Sequence, residues 1–212
     1  MGKSNAVFEV LRTGKHYGSN VTVKITEEDL AGIAKLYSTK IRTAPLVIGH
    51  PEDDRPELGQ VKKLYAIKDK LFADVEIYSE LIEKIKRGEI SGISVSIYFR
   101  TTEENPVRGV GMYLKHVGFL ERGKDEPAVK GMTDPILSVL STTELSSNDK
   151  RFIIFSEDKL IKFYNEQKTA EFGKRSTFTE QDKNAHLLNL KVKFFENITG
   201  LSYRQAFEII QG

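Results

Sequence analysis

Hydrophobic and polar residues alternate most regularly over residues 89–100, in the sequence EISGISVSIYFR. One set of alternate positions is large and apolar, and the other is small or carries a hydroxyl: Ile93, Val95, Ile97 and Phe99 against Gly92, Ser94, Ser96 and Tyr98. A period of two predicts a β-strand with one buried face. Such a strand holds its serines rigidly, as a nucleophile requires, but the same pattern is typical of serines that merely face solvent.

Similar apolar runs predict further strands in the first two thirds of the chain. Residues 6–11 and 21–25 predict an opening hairpin, because the Gly, Ser and Asn residues over 14–20 favour a turn. His16 lies in that turn, where we expect it to be exposed and to have no role. The remaining strands are predicted over residues 45–48, 60–67, 71–77 and 112–120.

Two helices are predicted between these strands. The first covers residues 27–38, because Thr26 and Asp29 have the spacing of a capping box and apolar residues then recur at helical intervals. The second covers residues 80–87 and ends at Gly88. The first 145 residues therefore predict an α+β domain.

The composition changes after residue 145. Residues 146–149, Ser-Ser-Asn-Asp, are typical of a linker, and the chain beyond them has helical patterns. The sequence thus predicts a domain over residues 1–145 and a helical tail over residues 146–212. The apolar stripes of the tail need a partner surface, which would be the first domain, a second copy of the chain or another protein.

Composition excludes several classes of function. The 212 residues include 32 basic and 30 acidic side chains, a balance that does not indicate nucleic-acid binding. The absence of cysteine excludes disulfides, thiolate catalysis and cysteine-ligated metals. The sequence has neither a membrane-spanning stretch nor a complete phosphate-binding loop, so we expect a soluble intracellular protein with no cofactor.

Two histidines occupy positions of chemical interest. His50, in a Gly-His-Pro sequence, lies at the mouth of a predicted strand, where side chains often have functional roles. His116 lies on the strand over residues 112–120, on the predicted face of Leu114, where a lone histidine is more often a core residue than a catalytic one. An acidic loop follows His50, and the two together suggest a hard-metal site, although such loops are usually just solvated: Glu52, Asp53, Asp54 and Glu57.

A strand serine and two histidines are the components of a Ser-His-His arrangement. One imidazole would accept the serine proton and return it to the leaving amine, while the other orients the first and supports its positive charge. Residue types alone support this interpretation weakly.

Several segments also resemble a known family. Four segments, in order over roughly residues 6–132, are similar to the Mu-like prophage I protein, a prohead maturation protease: GHP, LGQVKKLY with LFADVEI, RGEISGISVSIYF, and YLKHVGFLERGKDEPAVKGM. More distantly, RGEISGISVS is similar to a segment of other tailed-phage prohead proteases. The order His, Ser, His resembles that of herpesvirus assemblin, and this resemblance implies a closed β-barrel with peripheral helices.

The resemblance implies a function and its residues. It implies a serine endopeptidase that cuts the capsid scaffold, and often itself, inside the assembling prohead in the host cytoplasm. Ser94 matches the nucleophile, His50 the general base and His116 the third member, while Arg122 is a candidate oxyanion donor. Ser96 shares the face of Ser94 and is the alternative nucleophile, but Ser94 directly follows Gly-Ile, as in the related motif.

The resemblance also implies partners, and it leaves alternatives open. The expected partners are the scaffold protein, the major capsid protein and further copies of the chain in a homodimer or higher oligomer. A capsid scaffold or structural protein that keeps the protease fold without turnover is the main alternative. A metal-dependent hydrolase that uses His50 and the acidic loop is a further one.

Overall fold

The computed structural model describes residues 2–17, 22–124, 152–155 and 179–211. Its strands and helices follow in chain order as β1 (Lys3–Arg12), β2 (Gly14–Tyr17), β3 (Thr22–Ile25), α1 (Glu27–Leu36), β4 (Leu46–Ile48), β5 (Gly59–Ile67), β6 (Lys70–Tyr78), α2 (Ser79–Lys86), β7 (Ile90–Tyr98), β8 (Tyr113–Glu121), β9 (Phe152–Phe155), α3 (Glu180–Thr199) and α4 (Tyr203–Gln211). The predicted α+β class is confirmed. The predicted linker and domain boundary near residue 145 lie outside the described residues.

The described strands form three sheets. A four-stranded sheet has the order β5-β6-β1-β9, a three-stranded sheet has the order β4-β8-β7, and β2 pairs with β3 alone. An isolated bridge between Pro45 and Gln60 joins the two larger sheets. The prediction of a closed barrel is therefore wrong for the part of the chain that the structure describes, because β4 has only three residues and forms no ladder with β5.

The predicted opening hairpin is also wrong. β1 pairs antiparallel with β6 and with β9, whereas the hairpin at this end of the chain is formed by β2 and β3. The reason lies in β1 itself, which is buried on both faces from Ala6 to Leu11 and therefore belongs inside a sheet. His16 lies in β2 rather than in a turn, and its Nε2 donates to the carbonyl oxygen of Arg12 at 2.7 Å.

The two faces of the four-stranded sheet bury separate apolar clusters. One face packs toward α1, α2 and the three-stranded sheet, where the Phe8 and Phe119 rings meet edge to face at 5.4 Å. The capping box of Thr26 and Asp29 at the start of α1 is confirmed. This cluster supports β8 from below and so fixes the position of the candidate site.

The C-terminal helices cover the opposite face of the four-stranded sheet. Phe195 of α3 packs against Tyr65 and Phe72, with ring centroids 5.4 and 5.2 Å apart. Lys191 of α3 also forms an ion pair of 2.5 Å with Asp74 of β6. The apolar stripe of α3 therefore packs on the four-stranded sheet. Among the described helices, none is both long and apolar enough to span a membrane.

Candidate active site

The loop after β4 positions His50. β4 runs parallel to β8, with Val47 opposite Gly118, and Gly49 then turns out of the sheet with a left-handed φ of 62°. The N–H of Gly49 donates to the carbonyl oxygen of Phe119 at 2.9 Å, which ties the loop to β8. His50 is the next residue, and its side chain is exposed.

Gly118 lies directly beneath this loop. A Cβ atom at Gly118 would lie 2.2 Å from the carbonyl oxygen of Gly49 and 3.1 Å from Cε1 of His50. A real Cβ atom does not come within 2.2 Å of a carbonyl oxygen, so the loop crosses β8 this closely only because residue 118 is glycine. The imidazole of His50 therefore lies over Gly118.

Ser94 reaches the same place from β7. In the antiparallel pairing of β7 with β8, Ser94 is directly opposite Gly118. Residues directly opposite in such a pair have side chains on the same face of the sheet. Ser94 and the ring of His50 are thus neighbours over one point of β8, and Ser94 is partly buried there.

His116 lies behind His50 and is 1% exposed. Nε2 of His116 is 2.8 Å from Nδ1 of His50, and the two rings are stacked with centroids 5.1 Å apart. Nδ1 of His116 is 2.5 Å from Oδ1 of Asp54. His116 is therefore the central member of a chain of three side chains.

Asp54 ends this chain and is itself held by Arg42. Nη2 of Arg42 lies 2.7 Å from Oδ2 of Asp54, while Nη1 of the same side chain donates to the carbonyl oxygen of Lys115 at 2.5 Å. The ammonium of Lys115 is 3.8 Å from Oδ1 of Asp54. Asp54 has a left-handed φ of 59°, which aspartate tolerates better than most residues.

Burial sets the protonation of His116. Removal from water lowers the pKa of His116 below its ordinary value of 6.5, and the hydrogen bond to Asp54, which raises the pKa, offsets only part of that effect. His116 is therefore neutral near pH 7. A neutral imidazole can donate through one ring nitrogen and accept through the other, as the two observed contacts require.

The structure places Ser96 differently from Ser94. Ser96 is opposite His116, both of whose ring nitrogens already contact other side chains, namely His50 and Asp54. Ser94, by contrast, lies beside Gly118 and the exposed ring. Ser94 is therefore the serine opposite the residue over which the His50 ring lies, and Ser96 is not.

A β-bulge in β8 and the end of β7 explain two departures from the predicted strand pattern. Ile97 pairs with Leu114 whereas Ser96 pairs with His116, so Lys115 is an extra residue in β8. The alternation predicted that Leu114 and His116 share a face. Because of the bulge they do not, and Leu114 packs in the main core. Phe99, expected to be a buried anchor of β7, lies beyond the end of the strand and is 42% exposed.

Arg122 is not brought to the site. Its Nε donates to the carbonyl oxygen of Gly88, just after α2, at 3.0 Å. It follows Gly118 by four residues, about 13 Å along an extended strand. This hydrogen bond connects the end of β8 to the end of α2.

Sequence reasoning missed Asp54 and Arg42 as members of this cluster. Asp54 was considered only as part of an acidic loop with metal-binding potential, and the one available signal was its nearness to His50 in sequence. In residues 2–17, 22–124, 152–155 and 179–211, no group of three or more histidine or acidic side chains is arranged to hold a metal ion. Asp54 instead contacts a histidine and an arginine.

Comparisons with known proteins give only a distant likeness. No family model matches the chain, and no curated protein does. Among solved structures, Kaposi's sarcoma-associated herpesvirus protease in complex with a dimer disruptor is similar with 12% identity and a TM-score of 0.40, over 96% of this chain and 93% of that one. The same protease with a hexapeptide phosphonate inhibitor has 13% identity and a TM-score of 0.39, over 95% and 79%. At these TM-scores the likeness carries no argument, so we interpret the site from its own geometry.

Proposed function

We propose that this chain is a serine endopeptidase in which Ser94 is the nucleophile, His50 the general base and His116 the third member. The observation that carries the proposal is the position of the His50 ring, hydrogen-bonded to His116 and lying over Gly118, the residue opposite Ser94. A nucleophile, a base and a group that orients the base form the diagnostic arrangement of covalent acyl transfer.

The reaction would proceed in two halves. Nε2 of His50 accepts the hydroxyl proton as Oγ of Ser94 attacks the scissile carbonyl carbon, and the same nitrogen then returns the proton to the leaving amine. Water repeats the sequence on the acyl-enzyme and regenerates the serine. His116 holds the base in place and lies against the imidazolium that forms at His50.

The substrate class follows from the resemblance of the sequence motifs to prohead maturation proteases. On that basis the substrate is the internal scaffold of a Mu-like phage capsid, together with the chain itself, and the place of action is the assembling prohead in the host cytoplasm. A homodimer or higher oligomer and contact with the major capsid protein belong to the same proposal. Contact of α3 and α4 with the scaffold is part of the same proposal. These helices pack on the four-stranded sheet.

An active-site-directed fluorophosphonate tests the chemistry without a known substrate. Such a reagent modifies a serine only when a base activates it, so mass spectrometry of the labelled protein should locate the adduct on Ser94. Ser94→Ala and His50→Ala should abolish labelling, while Ser96→Ala should retain it. Removal of the nucleophile or the base of a serine protease lowers kcat by about 10⁶-fold, so the loss should be complete at any practical labelling time.

Coexpression with the phage scaffold tests the substrate. Discrete fragments of the scaffold, or of the chain itself, should appear with wild type and disappear with Ser94→Ala when intact masses are measured. If the scaffold stays whole and no serine is labelled, the chain is a structural relative without turnover. Labelling without scaffold cleavage would retain the peptidase and remove the proposed substrate.

A further inference from the structure

A Ser-His-His arrangement leaves a charge unbalanced. When His50 takes up the serine proton it becomes a cation, and the neutral His116 behind it brings no negative charge. In serine proteases with an acid as the third member, changing that acid to its amide lowers kcat by about 10⁴-fold. The structure contains such a carboxylate, that of Asp54, but it contacts His116 instead of contacting His50 directly.

We propose that Asp54 is a positioning residue that acts through His116 to fix the tautomer of His50 and to balance its positive charge. The proposal rests on the proposed function and deepens it, because it extends the array to four members, Ser94, His50, His116 and Asp54. Asp54 does not touch the substrate in this scheme.

The hydrogen-bond chain determines where each proton lies. An ionised carboxylate only accepts, so the 2.5 Å contact between Asp54 and Nδ1 of His116 places the proton of His116 on Nδ1. Nε2 of His116 must then accept, and the 2.8 Å contact places the proton of His50 on its own Nδ1. Nε2 of neutral His50 is consequently a proton acceptor, which is the form that a general base needs.

Arg42 gives the carboxylate its orientation. It donates to Oδ2 of Asp54, so Oδ1 faces His116, and its second nitrogen is anchored on the carbonyl oxygen of Lys115. The charged groups around the His116 ring are thus Asp54 and, beyond it, Arg42 and Lys115, with His50 on the other side. Because Arg42 is anchored through Nη1 on the carbonyl oxygen of Lys115, its Nη2 holds Oδ2 of Asp54 in one place and leaves Oδ1 for His116.

This orientation predicts the effect of Asp54→Asn. Arg42 can only donate, so the amide oxygen turns toward Arg42 and the amide nitrogen toward His116. Nδ1 of His116 must then accept, its proton moves to Nε2, and His50 is forced to carry its proton on Nε2. The base is then protonated on the nitrogen that should receive the serine proton, as in the wrong-tautomer amide variants of other serine proteases.

The imidazole nitrogens give a direct readout. In ¹⁵N-histidine-labelled protein at about pH 8, above the ordinary pKa of histidine, NMR should show His116 protonated on Nδ1 in wild type and on Nε2 in Asp54→Asn. Cleavage or fluorophosphonate labelling should slow by about 10² to 10⁴-fold in the same variant. Asp53→Asn is the matched control, because Asp53 is exposed and accepts from the backbone N–H of Arg55, so neither readout should change.

A second variant separates positioning from structural damage. In the double variant Arg42→Gln with Asp54→Asn, the amide oxygen is no longer held by a guanidinium and can face His116, so the Nδ1 tautomer and part of the rate should return. A further loss of rate with the Nε2 tautomer retained would contradict the proposal.

The outcomes distinguish this inference from the proposed function. Wild-type His116 protonated on Nε2, or an Asp54→Asn protein with unchanged tautomers and rate, would overturn the role of Asp54 even if Ser94 is the nucleophile. The wild-type measurement decides the matter even if Asp54→Asn fails to fold. A tautomer switch in a chain whose Ser94 is never labelled would uphold the hydrogen-bond chain and remove the peptidase.

Discussion

Two ion-paired carboxylates, Asp74 and Asp54, lie on different sheets and differ in their further contacts. On the four-stranded sheet, Asp74 is 7% exposed and pairs with Lys191 of α3. The pair lies between β6 and the helix that covers it. On the three-stranded sheet, Asp54 pairs with Arg42 but also contacts His116, which contacts the exposed His50.

The difference separates a packing contact from a candidate site. The Asp74 pair joins two elements that are otherwise held by aromatic packing, so its effect is limited to the stability of that joint. The Asp54 chain runs from a salt bridge through a buried imidazole to the surface, where it meets a serine strand. Buried polar groups are costly, and a chain of them that leads to solvent indicates a use in addition to stability.

The largest expected effect comes from filling the space under His50. Gly118→Ala places a methyl group against the carbonyl oxygen of Gly49 and Cε1 of His50, so the loop must move. We expect peptidase labelling to be lost and the free energy of unfolding to fall by about 3 kcal/mol, as in overpacked cores. Urea unfolding and fluorophosphonate labelling measure the two effects.

Gly32→Ala is the matched control for that substitution. Gly32 lies within α1, and a Cβ atom there has nothing within 4 Å. Alanine is a better helix former than glycine, so the free energy of unfolding should rise by about 0.5 to 1 kcal/mol with labelling unchanged. If Gly118→Ala behaves like this control, the loop does not hold His50 as described.

An intermediate effect is expected from the joint on the other sheet. Lys191→Met removes the ammonium and leaves the largely buried carboxylate of Asp74 without its cation, which should lower the free energy of unfolding by about 2 kcal/mol. Labelling at Ser94 should not change, because α3 lies on the opposite face of the four-stranded sheet from the main core. If Lys191→Met abolished labelling without changing stability, the Asp74 pair would not be a contact for stability alone.

The smallest effect is a dependence of stability on pH. Burial lowers the pKa of both His116 and His186, so the unfolded chain binds protons at a higher pH than the folded chain. The stability that each neutral histidine contributes is present above the ordinary value of about 6.5 and is lost as the pH falls through the lowered folded-state value. The free energy of unfolding, measured by urea titration from pH 8 downward, should therefore begin to decrease near pH 6.5, at about the pKa of histidine in the unfolded chain.

Single substitutions separate the contributions of His116 and His186 to the pH dependence of stability. His116→Gln and His186→Gln should each remove part of the decrease, and the double variant should remove more than either. A wild-type protein whose stability is constant or rises over the same range would contradict the burial of neutral imidazoles.

Local sequence patterns predicted most elements but not their pairing. The capping box at Thr26, the strand that carries Ser94 and the helix that precedes it follow from periodicity and turn residues alone. The partners of β1 could not be predicted in this way, because β6 and β9 are distant from it in sequence. Strands that are consecutive in sequence are not always neighbours in a sheet. The closed barrel was implied by the family resemblance, and it is wrong because β4 is short and forms no ladder with β5.

The candidate site was predicted in part. Ser94, His50 and His116 were selected from their positions on predicted strands and from the family resemblance, and the structure brings them together on one face of the three-stranded sheet. Asp54 could not be selected, because its approach to His116 depends on a left-handed backbone and on an arginine twelve residues earlier. Neither feature has a local sequence signature.

The parallel pairing of β4 with β8 also has a kinetic consequence. His50 and His116 are 66 positions apart, and β5, β6, α2 and β7 lie between them in the chain. Contacts of such long range close slowly, because the entropy of the loop must be lost before the contact stabilises anything. The imidazole pair is therefore among the later contacts to form, so a partly folded chain would have its serine strand before it has a base to activate it.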